Sequence, residues 1–226
     1  MIPALLSRGF GYGSGVLSPT RDQFIVNIPK NASSYLLQWS TRHRWTAAQA
    51  QNHDNIKEMI VILRDPVQRW ISGMSQYLTT YIQSVYGPNG PVFDGMITTE
   101  HDYFMSADMF ISQYTDLVER LLIDVGSRFD DHVWPQSEII SELLPLCKRT
   151  YFFLDENLNT CLARYLGFTE FVDLDRNQGS NNPEQKKLQE FLKNRLNVRP
   201  ELKQRLIKHY HKDYSLIDSV EFYGAK

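Results

Sequence analysis

Lys30 and Arg64 are the residues of this chain best placed to do chemistry. Each closes a short apolar, β-branched run, and each is followed by a helical pattern. The first run is Phe24-Ile25-Val26-Asn27-Ile28, leading into Pro29-Lys30-Asn31-Ala32-Ser33-Ser34-Tyr35; the second is Met59-Ile60-Val61-Ile62-Leu63, leading into Arg64-Asp65-Pro66. Strand ends that deliver positive charge beside helix N-termini with unused N–H groups make anion sites. Two such segments about thirty residues apart predict a ligand with phosphate-like groups at both ends.

The residue types support that chemistry. Pro29 has no N–H and ends the strand ladder. Ala32, Ser33 and Ser34 are small, so backbone can approach a ligand closely, and two adjacent hydroxyls add donors. Lys30 supplies a mobile point charge, and Arg64 a fork that fits phosphate. Pro66 suits the first turn of a helix, which carries Ser72 about two turns on. Arg69 suits bracing of that helix or pairing with Asp65. The bland alternative for each segment is a strand followed by an ordinary cap. A Walker A loop is absent, because Lys30 precedes the small residues and no glycine flanks it. That argues against an ordinary ATPase or GTPase.

Pro29-Lys30-Asn31-Ala32-Ser33-Ser34 resembles the 5′-phosphosulfate loop of sulfotransferases that use 3′-phosphoadenosine-5′-phosphosulfate (PAPS), written P-K-x-G/A-[ST]-[ST]. Arg64-Asp65-Pro66-x-x-Arg69-x-x-Ser72 resembles their 3′-phosphate motif, except that the Tyr expected two residues after Ser72 is Met74. Asp130-Asp131-His132-Val133-Trp134-Pro135-Gln136, then Cys147, then Glu156-Asn157-Leu158, is similar to a D-x-H-W-x-P-Q … C … E-x-L pattern of Golgi carbohydrate sulfotransferases. Arg176 to Asn182 resembles the Asn/Ser loop that those enzymes fold over the nucleotide. The resemblance spans roughly residues 23 to 182. It implies PAPS as sulfuryl donor, held by Lys30, Asn31, Ala32, Ser33 and Ser34 at the 5′ end and by Arg64 and Ser72 at the 3′ end. It implies Lys30 beside the bridging oxygen of the leaving phosphate, no metal, and a hydroxyl acceptor, with a glycan favoured over a lipid or small molecule.

Such a transfer needs a general base for the acceptor hydroxyl. His53 is the first choice, since a short strand near Trp45–Gln49 would deliver it to the loop face. His43 is second and His132 third, His132 also suiting acceptor contact; each has a surface histidine as its alternative. Two other functions compete. A nucleotide-dependent kinase on a related sheet would need ATP and Mg²⁺, yet no clear metal-binding Asp is apparent. A non-catalytic nucleotide- or glycan-binding protein would bind the desulfated cofactor without transfer.

The whole chain is consistent with this. At 226 residues it suits a single domain, 1–226, with an N-terminal arm over 1–22 and C-terminal helices over 183–215. Apolar residues at 42% are enough for a core without staples. A net charge of −2 gives no general attraction to nucleic acid or anionic membranes. The two cysteines, Cys147 and Cys161, read as buried free thiols, and the six histidines lack metal-ligand spacing. No run reaches the ~20 apolar residues of a membrane span. The start resembles no signal peptide, so the expectation is a soluble, cytoplasmic enzyme of microbial or viral type, or else a trimmed luminal domain.

Alternating patterns predict an α/β fold: a central parallel sheet flanked by helices, P-loop-NTPase-like, with a helical C-terminal part. Strands are expected at 23–29, 58–63 and 150–154. Helices are expected at 33–42, 66–83, 107–125, 158–166, 183–196 and 200–211. Gly9, Gly11, Gly13 and Gly15 predict a loop, as does the Pro/Gly stretch of 86–99, which would wall the acceptor pocket. Trp134, Tyr103 and Phe104 suit sugar stacking or core packing. The lysines and arginines of 186–212 suit a polyanion or, more simply, the solvated faces of two amphipathic helices.

Overall fold

The computed structural model describes residues 13–84, 132–141, 147–168 and 183–224. The expected 86–99 loop, the 107–125 helix and the Arg176–Asn182 loop lie outside them. Two compact units divide the chain.

The first unit comprises Gly9–Pro66, Trp134–Arg176 and Lys212–Lys226. It is an α/β unit with a five-stranded sheet. Its elements are β1 (Ser14–Leu17), β2 (Gln23–Val26), α1 (Ser33–Arg42), β3 (Thr46–Gln49), β4 (Glu58–Leu63), α3 (Gln136–Ser141), β5 (Lys148–Phe153), α4 (Leu158–Leu166) and most of α7 (His211–Ser219). The strand order is β3-β1-β2-β4-β5. β2, β4 and β5 are parallel, as expected, but β1 runs antiparallel to both β2 and β3. The sheet is therefore mixed, which corrects the parallel sheet of the sequence reading, and part of the expected N-terminal arm is a strand. Glycine spacing concealed β1. Gly15 faces Val26, and a Cβ at Gly15 would lie 2.2 Å from the Ile25 carbonyl oxygen. The glycine is there because strand and neighbour approach closely, not because the chain turns.

Both faces of the sheet are covered. One face packs Val16, Ile25, Ile60, Ile62 and Phe152 against Tyr35, Leu36 and Trp39 of α1 and Leu158 and Leu162 of α4. The other packs Leu17, Phe24, Val26, Met59, Val61 and Leu63 against Ile139 and Ile140 of α3 and Leu216 and Ile217 of α7. β4 is buried on both faces, which is why it reads as an unbroken apolar run. α4 ends at Gly167 in the left-handed conformation, φ 74°. A parallel bridge from Phe222 to Tyr151 covers the β5 edge.

The second unit comprises Met1–Arg8, Val67–Val133 and Asn177–His211. Its described helices are α2 (Pro66–Ser84), α5 (Pro183–Val198) and α6 (Pro200–His209). Leu188, Leu192 and Leu196 form the buried stripe of α5, and Leu202 and Leu206 that of α6. The lysines between them, such as Lys186, Lys193 and Lys203, are exposed. Among the described residues no helix is long and apolar enough to cross a membrane.

Candidate functional site

β2 and β4 are parallel, and β3, two antiparallel steps from β2, runs the same way. The segments that leave their C-terminal ends therefore gather at one end of the sheet, where open α/β sheets bind ligands. Those segments carry Lys30, His53 and Arg64.

The loop after β2 is built by its sequence. The Asn31 N–H donates to the Ile28 carbonyl at 3.0 Å, closing a four-residue turn with Pro29 second and Lys30 third. Lys30 has φ 69°, the positive value that a type II turn requires at its third position. Glycine or asparagine is the usual occupant, so a lysine held there is a strained choice, and such strain collects at functional sites. Ala32 repeats the feature, with φ 63° at the N-cap of α1. It provides no side-chain cap, so the first turn of α1, with Ser33 and Ser34, depends on other groups for its leading N–H donors. Alternating left-handed residues before a helix make the concave amide surface that suits an anion.

The loop after β4 is tied to the first. The Arg64 Nη1 donates to the Lys30 carbonyl at 3.1 Å. The structure thus brings together Lys30, Asn31, Ala32, Ser33 and Arg64. A residue that motif spacing did not assign to the cofactor lies between them. Gln136, fully buried, accepts hydrogen bonds from the Asn31 Nδ2 and from the Arg64 N–H (3.0 Å) and donates to the Arg64 carbonyl (2.8 Å). Asn31 also donates to the Ile62 carbonyl at 2.7 Å. Its sequence signal was the Pro135-Gln136 that ends the D-x-H-W-x-P-Q pattern, but nothing in that pattern says what the Gln touches.

The histidines are placed differently. His53 follows a short 3₁₀ turn, Ala50–Asn52, beyond the C-terminal end of β3, and is half-buried. His43 caps the far end of α1, about 15 Å from Ser33 by helical rise. Its ring lies 4.1 Å from that of Phe168 and 4.8 Å from that of Trp39. Burial, helped by the charge of Arg42, lowers its pKa and favours the neutral ring. That is a packing role. Ser72 and His132 belong to the second unit, where the His132 backbone approaches α2: a Cβ on Gly73 would lie 2.5 Å from the His132 carbonyl oxygen. Of the other motif residues, Trp134 packs on the sheet face covered by α3 and α7, and Asp130 and Asp131 lie outside the described residues.

Beside the Lys30 loop sits a polar row. Gln49 pairs with Ser14, and the Asn27 N–H donates to the Ser14 carbonyl at 2.9 Å, so the three side chains share the α1 face of the sheet. The Asn27 Oδ1 and Gln49 Oε1 are buried and make no hydrogen bond. Buried acceptors left this way cost about 1–3 kcal/mol each, so they suit a hydroxyl donor.

Cys147 and Cys161 are free thiols, half-buried rather than buried, and burial raises the pKa of Cys147, which favours its protonated form. Among the described residues no cluster of His, Cys, Asp or Glu is suited to a metal ion. No family model, curated protein or solved structure significantly matches this chain.

Proposed function

We propose that the chain is a PAPS-dependent sulfotransferase of P-loop-like fold acting on a hydroxyl acceptor, with a carbohydrate favoured. The observation that carries this reading is the left-handed Lys30 at the third position of its turn, with Arg64 bonded to its carbonyl. A cation held in strained backbone beside a helix N-terminus whose N-cap residue provides no side-chain cap fits the phosphosulfate end of the donor. The arginine at the neighbouring strand end fits its 3′-phosphate.

PAPS supplies an activated sulfuryl group and leaves as the bisphosphate. The chain's own task is positioning and charge stabilisation. The Lys30 ammonium stabilises the negative charge that develops on the departing bridging oxygen. Ser33, Ser34 and the amides of α1 hold the 5′-phosphate. Arg64, with Ser72 carried over from the motif, holds the 3′-phosphate. His53 takes the acceptor proton as the acceptor oxygen bonds to sulfur, a role worth about 10²–10⁴-fold in rate. His132 is the alternative base or an acceptor contact. Asn27 and Gln49 accept hydrogen bonds from acceptor hydroxyls.

Thermal unfolding with the bisphosphate product, 3′-phosphoadenosine-5′-phosphate (PAP), tests this, with ATP–Mg²⁺ as control. At 100 times its Kd, PAP adds ~2.7 kcal/mol, a shift of roughly 5–10 °C in a chain of this size. The shift is expected with PAP and lost in Arg64→Ala. A shift with ATP–Mg²⁺ alone would favour a kinase, and no shift with either would reject the reading.

A further inference from the structure

We infer that Gln136 and Asp213 are positioning residues through which the C-terminal helix α7 sets the geometry of both cofactor loops. The inference rests on the reading above for what those loops bind, but its structural part stands on the hydrogen bonds alone.

The chain of contacts runs inward from α7. Asp213 is 1% exposed, an uncommon place for a carboxylate without strong partners. Its Oδ2 accepts the Gln136 N–H at 2.8 Å, and its Oδ1 accepts the Ser137 N–H at 2.9 Å and the Ser137 hydroxyl at 2.6 Å. A carboxylate from a distant part of the sequence therefore caps the first turn of α3. It also fixes the backbone from which the Gln136 side chain projects.

Gln136 then uses its whole amide on the two loops. Its Oε1 takes one donor from each, the Asn31 Nδ2 and the Arg64 N–H, while its Nε2 donates to the Arg64 carbonyl. Carbonyl and N–H of one residue bound by one side chain clamp the peptide units on both sides of Arg64. The Asn31 Nδ2 bonds to two carbonyl oxygens, so neither amide can flip without losing partners. A second strut runs parallel, with the Tyr214 hydroxyl donating to the Asp65 Oδ2 at 3.3 Å. Asn31 lies between the two left-handed residues, Lys30 and Ala32, so a loose Asn31 frees the segment that holds them in strained backbone.

Such a network is a hub rather than one more buried contact. Removing the Gln136 amide leaves three partners short of a hydrogen bond, two half-buried at Arg64 and one buried at Asn31. It touches no ligand in this reading, so it acts only through Arg64 and Asn31.

The test compares Gln136→Met and Asp213→Asn with Glu58→Gln. Glu58 sits at the opposite, N-terminal end of β4 and serves as a destabilised control. Hydrogen exchange is followed at the Asn31 and Arg64 amides, and PAP affinity is measured by calorimetry well below the unfolding temperature. Both site variants should exchange faster at Asn31 and Arg64 and bind PAP about tenfold or more weakly, the cost of one or two buried hydrogen bonds. Glu58→Gln should match their loss of melting temperature yet bind PAP within about twofold of wild type. Should Gln136→Met fail to fold, Asp213→Asn decides, since it keeps an acceptor for Ser137. Unchanged exchange at Asn31 and Arg64, or equal loss of affinity in Glu58→Gln, would overturn the positioning role. If wild type itself fails to bind PAP, the functional reading falls, and the exchange arm alone decides the claim about loop geometry.

Discussion

Ala32 shows how one small residue reconciles backbone need and sequence. It stands at φ 63°, where an L-residue other than glycine is disfavoured by about 1–2 kcal/mol. Replacing it by glycine removes that strain and returns part of the gain as unfolded-chain entropy, about 0.4–1 kcal/mol. The strain relief is larger, so Ala32→Gly is expected to raise the melting temperature by roughly 1–4 °C. Ala32→Val, which adds a branched Cβ in the same conformation, should lower it. If both variants melt alike, the left-handed assignment at Ala32 is wrong. The same logic marks Lys30 differently: its φ of 69° carries strain, and its charge is what the proposed transfer uses. Lys30→Gly should therefore leave stability unchanged or slightly higher while lowering any sulfuryl transfer, a separation that a merely structural lysine would not give. Both motifs were legible because strand, turn and cation follow one another locally. Gln136 and Asp213 were not, because their partners lie 72 to 105 and 76 to 77 residues away.

At the scale of elements, the long helices α2 and α5 and the buried parallel strands were legible among the described residues, and the short or locally anomalous pieces were not. β4 was found over its full length because burial on both faces leaves no polar alternation to confuse it. α3 was missed because six residues give one turn and a half of pattern, and its cap comes from Asp213 rather than from a local Ser or Asp. β1 was missed because its glycine reads as a turn. Gly73 carries the same lesson inside α2. A glycine in a helix interior costs about 1 kcal/mol against alanine, so Gly73→Ala would ordinarily stabilise. Here an added Cβ meets the His132 carbonyl oxygen at 2.5 Å and its carbonyl carbon at 3.0 Å. Backbone cannot yield as a flexible side chain does, so overpacking wins, at about 1–3 kcal/mol. Gly73→Ala is expected to lower the melting temperature by several degrees, whereas a rise would show that the α2–His132 approach is not so close.

At the scale of the whole molecule, charge is divided between the two ends of the α/β sheet. The C-terminal end gathers Lys30 and Arg64, and the N-terminal end buries a carboxylate. Glu58, Gln23 and Lys148 form one row across β2, β4 and β5. Burial alone would raise the Glu58 pKa. Hydrogen bonds from the Tyr165 and Thr150 hydroxyls and from the Gln23 amide, with the Lys148 ammonium at 3.1 Å, outweigh it and hold the value at about 2, against an ordinary 4.5. A carboxylate with a depressed folded pKa adds stability that is complete above the unfolded value and is lost as pH falls through the folded one. The window is therefore about pH 4.5 down to about 2. The contribution within it is on the order of 3 kcal/mol, from 1.36 kcal/mol per unit. Urea unfolding at pH 7 should show Glu58→Gln well below wild type, and the difference should shrink steadily between pH 4.5 and 2. A gap that stays constant with pH would mean the Gln variant suffers from lost packing rather than lost charge. If the Lys30 and Arg64 loops bind PAP as proposed, that binding at pH 7 should survive the substitution, because the carboxylate stands at the opposite end of the strands.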